Sequence, residues 1–403
     1  MKILIIGAGG VGSSVAAIAA ERDFFDSMTL VDIDADRASA SISKLDQSRF
    51  FSGQVDASNL QDISRAIKEH QADVVLNACD PRFNPPIFDA CLLEKVTYID
   101  MAMHLSVAHE EDPYNKTGVM LGDAQFSKSD EFANAGVLAL VGMGVEPGLS
   151  DIFARYASDK YFEKVDEIGV RDGANLTIDG YDFAPTFSIW TTIEECLNPP
   201  LIWEKDRGFY TTEPFSEPEI FHFPEGIGAV ECVNVEHEEV VLIPKYIDCN
   251  RVTFKYGLGD EFIEVLKVLH KTGLDSREPV MVKGQMVSPR DVVASTLPNP
   301  AELGDRMHGK TCAGTWLKGT GKDGKALEKY LYHVLDNEDS MNRWGHQAVV
   351  AQTAINPVIA MELLANGVWD STGVRGPEHF AAQPFLDLLE EYKCGWGEMD
   401  VVR

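Results

Sequence analysis

The chain has 403 residues, with 64 acidic against 35 basic side chains and a formal net charge of −29. That length exceeds what a single hydrophobic core usually serves, so two domains are expected. So negative a surface argues against nucleic acid or an anionic membrane as a partner. The seven cysteines (Cys79, Cys91, Cys196, Cys232, Cys249, Cys312 and Cys394) form no C-x-x-C pair. Free thiols in a reducing cytoplasm are therefore expected. The first strand begins at Met1, which leaves no room for a secretory leader. No apolar run is expected to reach the roughly 18 residues of a membrane span.

Lys2 to Ile6 (KILII) is a short apolar run followed at once by Gly7-Ala8-Gly9-Gly10-Val11-Gly12, and Ser13 to Glu21 then has helical character. A buried strand, a G-x-G-x-x-G turn and a helix start make a dinucleotide-binding fingerprint. Gly7 allows the tight turn, Gly9 lets the backbone approach a pyrophosphate, and Gly12 lets helix and sheet pack closely. The helix N-terminus offers free N–H groups to the phosphates. A second apolar run, Met28 to Val31, ends at Asp32 and Ile33. An acidic side chain about 20 residues beyond the glycines binds the adenosine ribose and repels a 2′-phosphate. NAD is therefore expected over NADP.

Strand and helix patterns continue to alternate: helix from Ala35 to Leu45, a weak strand from Phe50 to Val55, helix from Leu60 to His70, strand from Asp73 to Asn77. Then come a helix from Pro86 to Glu94, a strand from Thr97 to Asp100, a helix from Phe126 to Asn134 and a strand from Val137 to Val141. This spacing predicts a doubly wound parallel sheet over residues 1–150. Ligands sit beyond the C-terminal strand ends of such sheets. That rule selects Asp56, Ala57, Ala78, Cys79, Asp80, Asp100, Met101 and Ala102 for cofactor contact. It also selects the loop Gly142 to Asp151, where Gly144, Glu146, Pro147 and Gly148 lie before a helix starting at Leu149.

The texture changes after residue 160. Alternating runs at Lys164 to Arg171, within Leu201 to Phe223, and at Val230 to Val235, Glu239 to Ile243 and Arg251 to Tyr256 predict an antiparallel α+β substrate domain over 151–344. A helix is expected over Glu261 to His270, and a hairpin over 311–335 turning near Thr320 to Gly324. Residues 345–366 are apolar almost all round, as in a buried helix, and Pro357 should kink it. Its expected partner is the first domain, so 345–403 forms a third segment returning to the start of the chain.

Several motifs in order resemble the saccharopine dehydrogenase family, which includes L-lysine 6-dehydrogenases and carboxynorspermidine dehydrogenases. They are GAGGVG with VDID, NACDP, YIDMA, GMGVEPGLSD at 142–151, YGLGDEF at 256–262, CAGTWLKG at 312–319, and the apolar tail helix followed by TGV and PFLDLLE. The resemblance implies a Rossmann domain, an inserted α+β domain that also dimerises, and a C-terminal segment returning to the first. It further implies a cytoplasmic homodimer that oxidises or forms a C–N bond by hydride transfer, with imine hydrolysis or its reverse. Such chemistry needs a group that takes the amine proton and a donor for a substrate carboxylate.

By position, Asp100, His104 and His237 are the candidates for proton handling, and Arg171, Tyr181 and Thr186 for substrate binding. No metal site is expected, because His237-Glu238-Glu239 lacks a second histidine at helical spacing. Asp32 points to an NAD-linked enzyme acting on saccharopine or the lysine ε-amine. The long tail after residue 310 looks more like the saccharopine and carboxynorspermidine members, so carboxynorspermidine dehydrogenase is the alternative. A homoserine-type or sugar dehydrogenase, or a nucleotide-sensing protein without activity, also stays open.

Overall fold

The computed structural model describes residues 1–401. The apolar run at the N-terminus forms β1 (Lys2–Ile6), which lies inside a seven-stranded sheet. After it come α1 (Gly10–Ala19), β2 (Ser27–Asp32), α2 (Ala35–Ile42), β3 (Phe50–Gln54), α3 (Leu60–His70) and β4 (Val74–Asn77). Then follow α4 (Asn84–Glu94), β5 (Thr97–Asp100), α5 (Asp123–Phe126), α6 (Ser129–Ala135) and β6 (Leu138–Leu140). The strand order is β3-β2-β1-β4-β5-β6, all parallel, and the Rossmann expectation is met. Side chains cap the helices locally: Asp34 accepts from the Asp36 and Arg37 amides at 3.0 and 3.2 Å, and Asn59 does the same for α3. The N-terminus of α1 differs, because its cap is Gly9 and no side chain occupies its free N–H groups.

α7 (Leu149–Tyr161) carries the chain into β7 (Phe162–Ala174), an inner strand of a nine-stranded mixed sheet. β7 runs parallel to Arg251–Gly257 on one side and antiparallel to Lys310–Gly321 on the other. Lys310–Gly321 and Ala326–Asp336 form the expected hairpin. One expectation is corrected. Glu239–Tyr246 is a helix, not a strand, with Val240 to Ile243 fully buried. A short continuous apolar run fits a buried strand or a buried helix equally well, and periodicity does not separate them. Packing against α7 and the strand Arg251–Gly257 decides it.

The C-terminal segment divides. Ala348–Ala365 is a helix packed on α1, and it continues through Pro357 without a break. It is long and apolar enough to cross a membrane by length and composition alone, contrary to the sequence expectation, and 78% of it is buried in the fold. Gly373–Arg375 adds a seventh parallel strand beside β6. Gly397–Asp400, however, pairs with Ala326–Asp336 in the second sheet, so the last residues do not stay with the first domain. Val402 and Arg403, the end of the expected third segment, lie outside the described residues.

One polar cluster fastens this return. The Arg22 guanidinium donates to both oxygens of Glu362 at 2.9 and 2.6 Å, and the Tyr392 hydroxyl donates to Glu362 at 2.6 Å. Arg22 also lies over the Tyr392 ring, 4.6 Å from its centroid. Removing one partner of such a pair leaves a poorly solvated charge, which costs about 3 kcal/mol. Glu362→Ala is expected to lower the unfolding free energy by about that amount in urea titrations; a change below about 0.5 kcal/mol would contradict this role.

Candidate functional site

The β1–α1 turn has the shape that a pyrophosphate needs. Gly7 has φ +106, and a Cβ there would lie 2.7 Å from the Ala78 carbonyl oxygen at the end of β4. A Cβ on Gly12 would lie 1.9 Å from the Gly7 carbonyl oxygen, so turn and helix touch backbone to backbone. At Gly9 a Cβ would meet nothing within 4 Å, so the space over the uncapped helix start is open. A Cβ on Gly10 would lie 3.4 Å from the Val350 side chain of the returning helix. These residues fit a dinucleotide.

At the end of β2, Asp32 accepts from the Ala8 amide at 2.9 Å and from the Asp34 amide at 3.0 Å. Arg37 stands 3.5 Å from its other face, a neighbour not foreseen from the sequence. Ile33 is 65% exposed beyond the strand end. Asp56 turns to its own loop and accepts from the Ser58 amide and hydroxyl at 2.9 and 2.6 Å, beside Ala57. Burial pushes the Cys79 thiol up to about 12, so it stays protonated.

Between the sheet and the second domain lies a cavity of about 790 Å³. From the first domain, Val11, Ala78, Cys79, Asp80, Met101, Ala102, Glu146 and Pro147 line it, as the strand-end rule expects. From the second come Asp172, Tyr181, Thr186, Glu195, His237 and Tyr256. Eight carboxyl side chains line this cleft: Glu146, Asp172, Glu195 and Glu238 in its depth, and Asp80, Asp182, Asp260 and Glu261 nearer its mouth. Among the described residues, no lysine or arginine lines it.

So many buried carboxyls cannot all be ionised, and each has a means of neutralisation. Glu146 and Asp172 are neighbours in the cleft, and Tyr256 lies beside Asp172. Burial, with Asp172 beside it, drives Glu146 well above the usual carboxyl range, while Asp172 rises only to about 6. Burial pushes Glu195 up to about 8. His237 places Nδ1 2.5 Å from Glu239 and 3.4 Å from Glu238, and its ring stacks on Phe254 with centroids 3.8 Å apart. Burial disfavours the imidazolium, but Glu239, Glu238 and Glu195 outweigh it, and its pKa is pushed up to about 10. His237, Glu238 and Glu239 are close enough to share a cation, within 4.8 Å of one another. Their polar atoms are otherwise engaged, since Ser150 donates to Glu239 at 2.8 Å and the Met103 amide to Glu238 at 3.0 Å.

The structure does not bring every expected residue to the cleft. Asp100 is buried behind it, accepting from the Tyr98 hydroxyl, the Gln125 amide and the Gly142 N–H at 2.9, 2.7 and 2.7 Å. It ties the β5 and β6 ends together, and burial raises it to about 7. His104 is held away from the cleft by backbone bonds with Gln125 and Gly122. Gly144 and Gly148 shape the loop: Gly148 has φ +132, and a Cβ there would lie 2.1 Å from the Gly144 carbonyl oxygen. Arg171 is the most instructive correction. It pairs with Glu219 at 2.5 Å on the far face of β7. Successive side chains on a strand point to opposite faces, so its neighbour Asp172 faces the cleft instead. Glu195, Glu238 and Tyr256 were likewise not foreseen, although Tyr256, Asp260 and Glu261 all lie in the YGLGDEF run.

Comparison with known proteins agrees with this architecture. Residues 3–140 match the family model "Saccharopine dehydrogenase NADP binding domain", and residues 144–394 match "Saccharopine dehydrogenase C-terminal domain". The chain is 30% identical to a carboxynorspermidine synthase of Vibrio cholerae, covering 100% of this chain and 97% of that one. It is 28% identical to a carboxyaminopropylagmatine dehydrogenase of Synechocystis, covering 99% and 97%. Its fold is similar to that of saccharopine dehydrogenase (L-Glu forming) from Saccharomyces cerevisiae, with a TM-score of 0.71, 14% identity and full coverage of both chains. The chain belongs to the saccharopine dehydrogenase family of nicotinamide-dependent oxidoreductases.

Proposed function

We propose that this enzyme forms or cleaves the secondary-amine C–N bond of a carboxylated polyamine, the kind of compound named for its Vibrio and Synechocystis relatives. The observation that carries this reading is the cleft lining of eight carboxyls without a lysine or arginine among the described residues. Carboxynorspermidine bears several ammonium groups and one carboxylate, and such a lining complements it. Saccharopine bears three carboxylates, for which the lining offers no lysine or arginine among the described residues and mostly acids in return. The preference for saccharopine or lysine drawn from Asp32 therefore yields to the alternative.

The dinucleotide would lie over Gly9 and the free amides of α1, with its ribose hydroxyls at Asp32. When bound, it supplies or receives the hydride. Glu195 and Glu238 are placed to hold ammonium groups, with Asp182, Asp260 and Glu261 doing so nearer the mouth. The single substrate carboxylate has neutral donors available on Tyr181, Ser188 and Thr191, and the charged His237 ring as the one cation in the lining. A cleft walled on both sides by the two domains would shield the imine from water, which would otherwise hydrolyse it.

Turnover is to be followed by nicotinamide absorbance with carboxynorspermidine, carboxyaminopropylagmatine, saccharopine and lysine supplied separately. The carboxylated polyamines are expected to exceed saccharopine in kcat/KM by roughly 100-fold or more, as like-charge contacts cost several kcal/mol. A preference for saccharopine would overturn the reading.

For the cofactor we propose NAD, since the Asp32 carboxylate stands where a 2′-phosphate would lie. Asp32→Ala is expected to narrow the NAD-over-NADP ratio of kcat/KM by about tenfold or more, leaving Arg37 free to meet the phosphate. A wild type that prefers NADP would contradict this assignment.

A further inference from the structure

We infer that Glu146 and Asp172 form a one-proton relay across the two domains, which takes the proton from the amine substrate and returns it to the departing oxygen. The inference rests on the amine chemistry proposed above. Glu146 comes from the loop after β6 and Asp172 from β7, so the pair exists only because the cleft brings the domains together. Both side chains line the cleft and act on each other there, and two ionised carboxylates so placed would repel. Glu146 Oε1 is buried and has no hydrogen-donating partner. The arrangement is therefore Glu146 carrying the proton and donating it to an ionised Asp172, which Tyr256 also supports.

The groups facing the pair fit this division. Glu146 meets Asp172, Glu239 and the Cys312 thiol, all of which oppose a negative charge on it. Asp172 meets the charged His237 ring, the Tyr256 hydroxyl and the Gly173 amide, all of which favour its charge. Tyr256 in turn lies beside Asp172, Glu195, Glu146 and Cys196. Burial acts on both carboxyls, so the environment keeps the proton on one and the charge on the other.

In the condensing direction the bookkeeping closes on one proton. A substrate ammonium gives its proton to Asp172, and the neutral amine adds to the aldehyde carbon; the C–N bond forms as the C=O π pair moves to oxygen, which then takes a proton from the added nitrogen to give the carbinolamine. Glu146 then gives its proton to the hydroxyl of the resulting carbinolamine. The C–O bond breaks, water leaves, and an iminium ion forms. The proton on Asp172 passes to Glu146 and restores the starting state. Ammonium and aldehyde have become iminium and water, with no net proton gained or lost. The iminium carbon would then be the acceptor for the hydride that a bound reduced nicotinamide would supply, which would leave the neutral secondary amine.

Difference infrared spectra of wild type against Glu146→Gln test the shared proton without any substrate. A protonated-carboxyl carbonyl band is expected to appear in the wild-type-minus-variant difference at neutral pH, over the bands of the other buried acids that both proteins share. Gln keeps the size and a donor for Asp172, and cofactor binding measured by fluorescence should stay within about threefold. In steady state with the amine that wild type uses best, Glu146→Gln and Asp172→Asn should each lower kcat by roughly 10²–10⁴ with KM little changed. Wild-type kcat should fall as pH drops through the region near 6, where Asp172 takes up a proton and cannot accept another. That limb should vanish in Asp172→Asn. An infrared band unchanged by Glu146→Gln would overturn the relay. So would loss of the band with kcat and its pH profile intact, since the pair would then be structural only. If the amine used best is not a carboxylated polyamine, the substrate reading fails and these criteria still decide the relay.

Discussion

The molecule depends on placing many carboxyl groups in one cleft and keeping the buried ones tolerable there. An ionised carboxylate buried alone is unstable by several kcal/mol. Three remedies operate within a few residues of each other. Glu146 keeps a proton, Asp172 lies beside the Tyr256 hydroxyl and the charged His237 ring, and Glu239 is balanced by that same ring. Glu239 also accepts from Ser150, so the charge pair with His237 is joined to the start of α7. Removing any one member would force its neighbours to change protonation or move.

The domain arrangement follows from the same need. A cleft between two sheets must hold its walls at fixed separation without filling the space between. The chain achieves this by leaving the Rossmann sheet after β6, building the second sheet around β7, and then returning. The apolar helix Ala348–Ala365 covers α1 and backs the glycine turn at Gly10, while Gly373–Arg375 extends the sheet edge. Gly397–Asp400 then rejoins the second sheet, so the polypeptide crosses between domains repeatedly. The Glu362 cluster fastens the returning segment to the first domain.

Much of the first domain was legible in the sequence, because its signals are local. The glycine spacing encodes backbone contacts that any Cβ would block, and strand–helix alternation leaves little choice of topology. The cleft was half legible. Its first-domain wall follows from the strand-end rule, and Ala78, Cys79, Asp80, Met101, Ala102, Glu146 and Pro147 all line it. The second wall depends on which face each strand turns inward, and a pattern read one residue out of phase selects Arg171 instead of Asp172. Asp100 and His104 sit at the correct strand end and yet point into the packing, a distinction made by Tyr98, Gln125 and Gly142 from other parts of the chain. Glu239 to Ile243 carries no local signal separating helix from strand. The accumulation of acids in the cleft was visible only as an acidic total, because its members come from segments far apart in sequence.

The central claim is that this cleft receives a polycation. Calorimetric titration of norspermidine into the enzyme with dinucleotide bound, at low and at moderate ionic strength, tests it without requiring turnover. Saturable binding at one site per chain, weakened by added salt and lost in Glu195→Gln/Glu238→Gln, is the expected result. No saturable binding, or binding unaffected by salt and by the double substitution, would contradict it.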